Sequence, residues 1–228
     1  AFWGISRGYD KKLKQMGIYT IEALAHADPM RLQKALGVMG LQLYYHAWGL
    51  DGSILSQKVR PKSKSYSKNQ ILMRDYYEKA EILIVIKEMV GDVCARLRKH
   101  QEKCQEVYLG IGYSDRNLQV GFTARIKLVR PEHSTEIISE ATRQEFIKRW
   151  HGEPVRSVNI TAGKIVPQGL EQLELFFDGA EKKHAMDRVV DDLRGRFGKK
   201  TIFYAGSMAG GTFLERADYV GGHKGKSE

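Results

Sequence analysis

Over the first fifty positions, apolar residues recur every three or four places with polar residues between them, which predicts a set of short helices. Gly4, Ile5 and Ser6 open a turn. Asp10 to Met16 forms a helix that Gly17 stops. Thr20 caps the next helix, with Ile21, Leu24 and Ala25 on its inner face. Asp28 caps a third, with Pro29 at its first position and Met30, Leu32 and Leu36 on its apolar side before Gly37. A last helix runs from Leu41 to Gly49 and carries Leu43, Tyr44, Ala47 and Trp48.

The pattern changes after residue 62. An extended segment from Ser63 to Gln70 precedes a long helix from about Asp75 to His100. The helix stripe is Tyr76, Tyr77, Ala80, Leu83, Ile84, Lys87, Val90, Cys94 and Leu97. Glu106 to Tyr113 reads as a strand, Ser114 to Asn117 as its turn, and Leu118 to Val129 as the hairpin partner. A second helix, Ser134 to Trp150, turns Ile137, Ile138, Ala141, Phe146, Ile147 and Trp150 inward. Val155 to Ala162 closes as a fourth strand. The order is β-α-β-β-α-β, in which two helices cover one face of a four-stranded antiparallel sheet and leave the other open. The fold class is therefore α+β: a small helical unit over 1–51, a linker over 52–62, the split β-α-β domain over 63–165 and a tail over 166–228. In the tail, helical spacing runs from about 182 to 197 through Met186, Val189, Val190, Leu193 and Phe197. Thr201 to Tyr204 reads as a short strand, and the last residues from Val220 as a frayed end.

Charge sharpens this picture. The chain has 228 residues and a formal net charge of +10, which points to an anionic partner. Between Ser56 and Lys68 stand Lys58, Arg60, Lys62, Lys64 and Lys68 with no acid. In an extended chain Lys62, Lys64, Tyr66 and Lys68 share one side and Ser63, Ser65 and Ser67 the other. Either side could track a phosphate backbone, or the stretch could be a solvated tether. On the open sheet face the candidates are Gly121, Thr123 and Arg125 on one strand and Arg156 and Asn159 on another, joined by the first strand's cations. Two cysteines, Cys94 and Cys104, are too few for a disulfide framework, so a reducing cytoplasm is expected. No stretch has the apolar length of a membrane span, and the N-terminus lacks a secretory layout. The missing initiator Met suggests a piece of a longer chain. His133 and His151 read as surface or capping residues.

The densest apolar cluster outside these elements is Gln172, Leu173, Glu174, Leu175 and Phe176, between Pro167-Gln168-Gly169 and Phe177-Asp178-Gly179. A pure connector would not carry so much apolar surface. The five residues form either an amphipathic strand over the chain's own core or a docking peptide. Gln-Leu-x-Leu-Phe resembles the peptide that bacterial DNA polymerases insert into the ring-shaped sliding clamp, where Leu173, Leu175 and Phe176 would each contribute roughly 1.5–3 kcal/mol before ordering costs.

Two further features fit that resemblance. Trp3-Gly4-Ile5-Ser6 through Leu13-Met16-Gly17-Ile18 resembles a helix–hairpin–helix, with Ser6 at the usual second glycine. Such a hairpin aims backbone N–H groups at a phosphate; a plain helical subdomain is the alternative. Leu36-Gly37-Val38-Met39-Gly40, Tyr44-Ala47-Trp48-Gly49-Leu50-Asp51, Lys64-Ser65-Tyr66-Ser67, Arg96-Leu97-Arg98, Ile111-Gly112-Tyr113-Ser114, Pro154-Val155-Arg156 and Arg196-Phe197-Gly198-Lys199 follow in order. Together they resemble the thumb, little finger and tail of a Y-family translesion DNA polymerase of the UmuC/ImpB/MucB/SamB branch.

The resemblance implies binding of primer–template DNA and the bacterial sliding clamp, in DNA repair and SOS damage tolerance. The DNA-binding residues it suggests are Gly4, Ser6, Lys58, Arg60, Lys62, Lys64, Ser65, Tyr66, Lys68, Thr123, Arg125, Arg156 and Asn159. The clamp-binding residues are Gln172, Leu173, Leu175 and Phe176. It places catalysis in a palm and fingers portion before Ala1, where carboxylates would hold magnesium. No catalytic residue is assigned here, and the chain alone is not expected to polymerise. A palm-less regulator and an RNA-binding module are the competing functions. The latter needs aromatics on the central strands, for which Tyr108 and Tyr113 are the candidates.

Overall fold

Leu13, Leu24, Leu32, Leu36 and Leu43 are buried together, and they hold the four short helices of the first unit. In this computed structural model, which describes residues 2–54, 56, 63–114, 121–169, 178–209, 219–220 and 223–224, the chain divides into two units, Ala1–Arg60 and Pro61–Glu228. The helices of the first are α1 (Arg7–Gln15), α2 (Ile21–Ala25), α3 (Pro29–Leu36) and α4 (Val38–Ala47). The predicted caps are in place. Ala23 N–H donates to Thr20 Oγ1 at 3.0 Å, and Met30 N–H to Asp28 Oδ1 at 2.9 Å. Two inward assignments are corrected: Ile21 and Met30 are exposed. Both sit in first turns, where the helix has not yet swung onto the core. Trp48 ties α4 back to the end of α2 by donating to the Ala25 carbonyl at 2.7 Å.

Helices α3 and α4 meet at Gly40. A Cβ there would lie 2.3 Å from the Leu32 carbonyl oxygen, a backbone atom that cannot turn aside. Gly40→Ala is therefore expected to destabilise this unit by about 1–3 kcal/mol, the range of overpacked cores. Denaturant melts followed by tryptophan fluorescence would check it. An unchanged midpoint would mean that the two helices part at little cost.

The second unit contains β1 (Tyr66–Tyr76), α5 (Lys79–Lys99), β2 (Glu102–Tyr113), β3 (Gly121–Glu132), α6 (Thr135–Arg149), β4 (Val155–Pro167) and α7 (Asp178–Phe197). The strands form one antiparallel sheet in the order β1-β4-β2-β3, with β4 and β2 central. This is the predicted β-α-β-β-α-β order. Leu72, Val107, Leu109, Ile111, Val158, Ile160 and Ala162 supply the sheet side of the core. Helices α5 and α6 supply the other side, including Phe146, whose ring stacks on Trp150 at 5.4 Å.

Several element details differ from the sequence reading. Asp75 and Tyr76 belong to β1, so α5 starts four residues later than expected. Its buried stripe is Ile82, Val85, Ile86, Met89, Val90, Val93, Cys94 and Leu97, rotated from the predicted Leu83–Ile84–Lys87 line. Both sides of this helix are apolar enough to bury, and a later segment takes up the second: Gly206 rests against Ile84, and Lys87 lies over the Tyr204 ring at 4.7 Å. In α6, Ile147 is exposed, while Ser139 and Thr142 are buried. Thr201 to Tyr204 is not a strand; bends lead into a 3-10 turn at Ala205–Ala209. Near the end, β5 (Tyr219–Val220) pairs with β6 (His223–Lys224), where a frayed end was expected. No helix of the described residues is long and apolar enough to cross a membrane.

Helix α7 turns only part of its apolar pattern inward. Met186, Val189 and Phe197 are exposed, while Val190 and Leu193 are half-buried. Polar groups on that same side make its contacts with the domain. The Arg98 guanidinium of α5 donates to Asp191 at 2.5 and 2.9 Å and lies 3.3 Å from Asp187. It also donates to the His133 carbonyl at 2.8 Å and to Thr135 Oγ1 at 3.1 Å. Asp187 Oδ2 in turn accepts from the Thr135 N–H at 2.9 Å, so α7 caps the N-terminus of α6. Burial alone would lower the Arg98 pKa, but the bonded Asp191 and neighbouring Asp187 outweigh it and raise it.

Candidate nucleic-acid interface

The face of the sheet away from α5 and α6 is built from alternate residues of all four strands. Val158, Ile160 and Ala162 point into the core, so Ser157, Asn159 and Thr161 point out. On β3, buried Ala124 sets Thr123, Arg125 and Lys127 outward. On β1, buried Gln70 and Leu72 put Ser67, Asn69 and Ile71 on the open side. The register lines these up in rows across the sheet. One row is Ser67, Thr161, Tyr108 and Arg125; the next is Asn69, Asn159, Gly110 and Thr123; a third is Ile71, Ser157, Gly112 and Gly121.

The centre of this face is bare backbone flanked by short polar side chains. A Cβ on Gly112 would lie 2.3 Å from Ser157 Oγ, and one on Gly110 would lie 3.2 Å from Asn159 Cβ. The glycines thus leave room for their neighbours to lie flat. Thr161 Oγ1 is 2.9 Å from Ser67 Oγ and 3.0 Å from Asn159 Oδ1. Beside this hydroxyl and amide patch, Glu106 accepts from Tyr108 OH at 2.9 Å and from Arg125 Nε at 2.9 Å, with Lys164 Nζ 3.9 Å away. The Arg125 hydrogen bond holds the Glu106 carboxyl below the usual carboxylate range. Lys127 is exposed and has no side-chain partner among the described residues.

The predicted residues divide between two sides. Thr123, Arg125 and Asn159 lie on the open face. Arg156 is exposed at the rim, 3.5 Å from Asp75 Oδ1. It escapes the core because the pairing is irregular between Gly112–Ser157 and Tyr113–Val155, which resets the alternation. Lys64, Tyr66 and Lys68 do not join them, contrary to the expectation that the first strand's cations share this face. They have the parity of buried Gln70 and lie on the helix side. Lys64 donates to Glu102 at 2.7 Å, Tyr66 OH to Glu102 at 2.6 Å, and Lys68 to Asp92 of α5. Ser65 is exposed just before β1. Lys58, Arg60, Lys62 and the run Gln172, Leu173, Leu175 and Phe176 lie outside the described residues, as does most of the turn at Ser114 to Asn117.

Sequence reasoning passed over Thr161 and Lys127, and it named Ser67 only on the alternative, serine side of the first strand, which is the side that faces outward. The signal for Lys127 was present: it continues the two-residue step from Thr123 and Arg125. Of the two tyrosines considered for base stacking, Tyr108 faces outward and Tyr113 is buried. His133 is likewise buried rather than at the surface.

In the first unit, Gly4 has φ +90°, a conformation that favours glycine. Ser6 has φ −85° and ψ 172°, so a serine serves here without strain. Its side chain makes no capping hydrogen bond, which leaves the first N–H groups of α1 directed outward next to the bare Gly8.

The model for the impB/mucB/samB family C-terminal domain matches residues 63–175. UvrX of Bacillus subtilis (strain 168), named as a UV-damage repair protein, is 38% identical over 223 residues, covering 97% of this chain and 54% of the relative. DNA polymerase IV 2 of the same organism is 34% identical over 226 residues, with 98% and 54% covered. The DNA repair protein homolog YobH, also from Bacillus subtilis, is 36% identical over 151 residues, covering 66% of this chain and 70% of that protein. The chain thus spans about half the length of the first two relatives. Among solved structures, a Y-family DNA polymerase chimera matches with a TM-score of 0.50 at 15% identity, over 72% of this chain and 46% of the chimera, a likeness of fold.

Proposed function

The chain belongs to the impB/mucB/samB branch of the Y-family DNA polymerases, and from that membership we propose that it is the duplex-holding and clamp-binding portion of an error-prone translesion polymerase in DNA repair. The observation that carries this reading is the open sheet face. Rows of hydroxyls and amides with glycine between them would let a phosphate backbone come close to the strands, with Lys127 flanking the rows in positive charge and Arg125, already paired to Glu106, contributing less. Contacts to phosphate and sugar alone would suit an enzyme that must accept many sequences and distorted templates. Gly4, Ser6 and the outward N–H groups of α1 would hold a second phosphate.

The cations of the tether, Lys58, Arg60 and Lys62, would add charge between the two units. Lys64, Ser65, Tyr66 and Lys68 would act at the edge of β1. There Lys64 and Lys68 are already paired to acids, so they would contribute less. Polymerisation itself would need a palm and fingers portion, whose carboxylates would hold magnesium. This chain supplies grip and position. The run Gln172 to Phe176 would supply the link to the sliding clamp.

Titration of a labelled primer–template duplex at a series of salt concentrations tests the reading. Neutralising about five phosphates gives a slope near −4 to −5 in the double-logarithmic plot. Lys127→Ala is expected to weaken binding uniformly across sequences and to reduce the slope by about 1. Binding that ignores salt would overturn the proposal.

A further inference from the structure

We propose that Glu132, His133 and His184 form a binding site for a divalent transition-metal ion, with zinc the best match, which clips α7 to the sheet domain. The three residues come from separate places: Glu132 ends β3, His133 lies in the link to α6, and His184 is on α7. Their ligand atoms all lie within 4.8 Å of one another. His184 Nε2 is 2.9 Å from Glu132 Oε1, and His133 Nδ1 is 4.0 Å from the same oxygen. The two imidazole rings are 4.8 Å apart.

The second observation is an orphaned atom. The His133 side chain is 6% exposed, yet its Nδ1 has no hydrogen-bond partner among the described residues. A buried nitrogen in that state costs free energy unless something binds it. It faces the carboxylate and the second imidazole, so a cation shared by all three would satisfy it. Two imidazoles and one carboxylate are donors that suit zinc; magnesium and calcium prefer oxygen alone.

The distances are workable. Zinc bonds of about 2.0–2.2 Å place tetrahedral ligands roughly 3.3 Å apart, between the two measured separations, so modest side-chain rotations suffice. Glu132 Oε1 already accepts the backbone N–H groups of His133 at 2.8 Å and Ser134 at 2.9 Å, which fixes the carboxylate's orientation, and the ion would replace the His184 N–H on that oxygen. Nearby Arg98 is offset by Asp187 and Asp191. On loading, His184 would stop donating from Nε2 and carry its proton on Nδ1, so no proton need leave the site. A fourth position stays open for water. The ion would fix the start of α7 against the sheet domain.

The test uses the untagged 228-residue chain, stripped with a chelator and titrated with zinc alone by calorimetry and with cobalt alone by visible absorption. One ion per chain is expected, with tetrahedral cobalt bands, a raised melting temperature and slower proteolysis at α7. His184→Gln should weaken binding by about 100-fold, and His133→Gln likewise, with circular dichroism reporting its fold. The control His100→Gln should bind as the parent does. If His133→Gln does not fold, His184→Gln decides alone. No stoichiometric binding, or equal affinity in the parent and His184→Gln, would overturn the proposal and leave the cluster a hydrogen-bonded latch.

Discussion

Alanine at both Leu175 and Phe176 is expected to weaken binding of the bacterial sliding clamp by at least about 100-fold, while duplex-DNA affinity stays unchanged. Each side chain would bury roughly 1.5–3 kcal/mol of apolar surface in the clamp groove. The two together then account for most of the affinity of so short a peptide, since ordering it on the ring is unfavourable. The DNA-binding groups named above lie elsewhere in the chain, which is why the two affinities should separate. Surface plasmon resonance with immobilised clamp, alongside the salt titration of duplex, gives both numbers on one preparation. Equal clamp affinity in the double variant would overturn the docking reading of this segment.

Arg98→Ala should destabilise the second unit by about 3–5 kcal/mol, the range seen when one partner of a buried ion pair is removed. The side chain is 9% exposed and meets Asp187 and Asp191, the His133 carbonyl and Thr135 Oγ1. Without it, two carboxylates face each other across a half-buried gap, and α7 loses its main hold on α5. The expected record is a lower denaturation midpoint with rapid amide exchange in α7. The triple variant Arg98→Met, Asp187→Asn, Asp191→Asn should recover part of the loss, because the uncompensated charge is gone. A single variant as stable as the parent would mean that α7 contributes nothing to the fold.

The two predictions rest on different kinds of legibility. The run 172–176 stands out in the sequence because its apolar density has no local use. The Arg98 network does not stand out at all. Arg98 and Asp191 are 93 positions apart, and nothing in their neighbours marks them as partners. The same holds for His133 and His184, which are 51 positions apart and become neighbours only when α7 returns to the head of α6. The periodicity of α7 even misleads: Met186, Val189 and Phe197 keep helical spacing yet are exposed.

Local chemistry in the sequence was sufficient for the elements up to β4 and their order, though not for the segment after α7. Thr20 and Asp28 cap helices because their side chains reach a backbone N–H within three residues, and alternation on β3 reveals Thr123 and Arg125 because buried Ala124 lies between them. Such signals act over one turn or one pleat. Facing is another matter. Whether Lys64, Tyr66 and Lys68 belong to the open sheet depends on the phase set by Gln70 and Leu72, and on Asp92 and Glu102 waiting on the helix side. Which side of α5 is buried depends on what arrives later in the chain to cover it, and which side of α7 is buried depends on Arg98, Glu132 and Thr135, far back in the chain. Those choices are made by long-range packing and by pairing of distant charges, whose free energy exists only once the tertiary structure has brought the groups together.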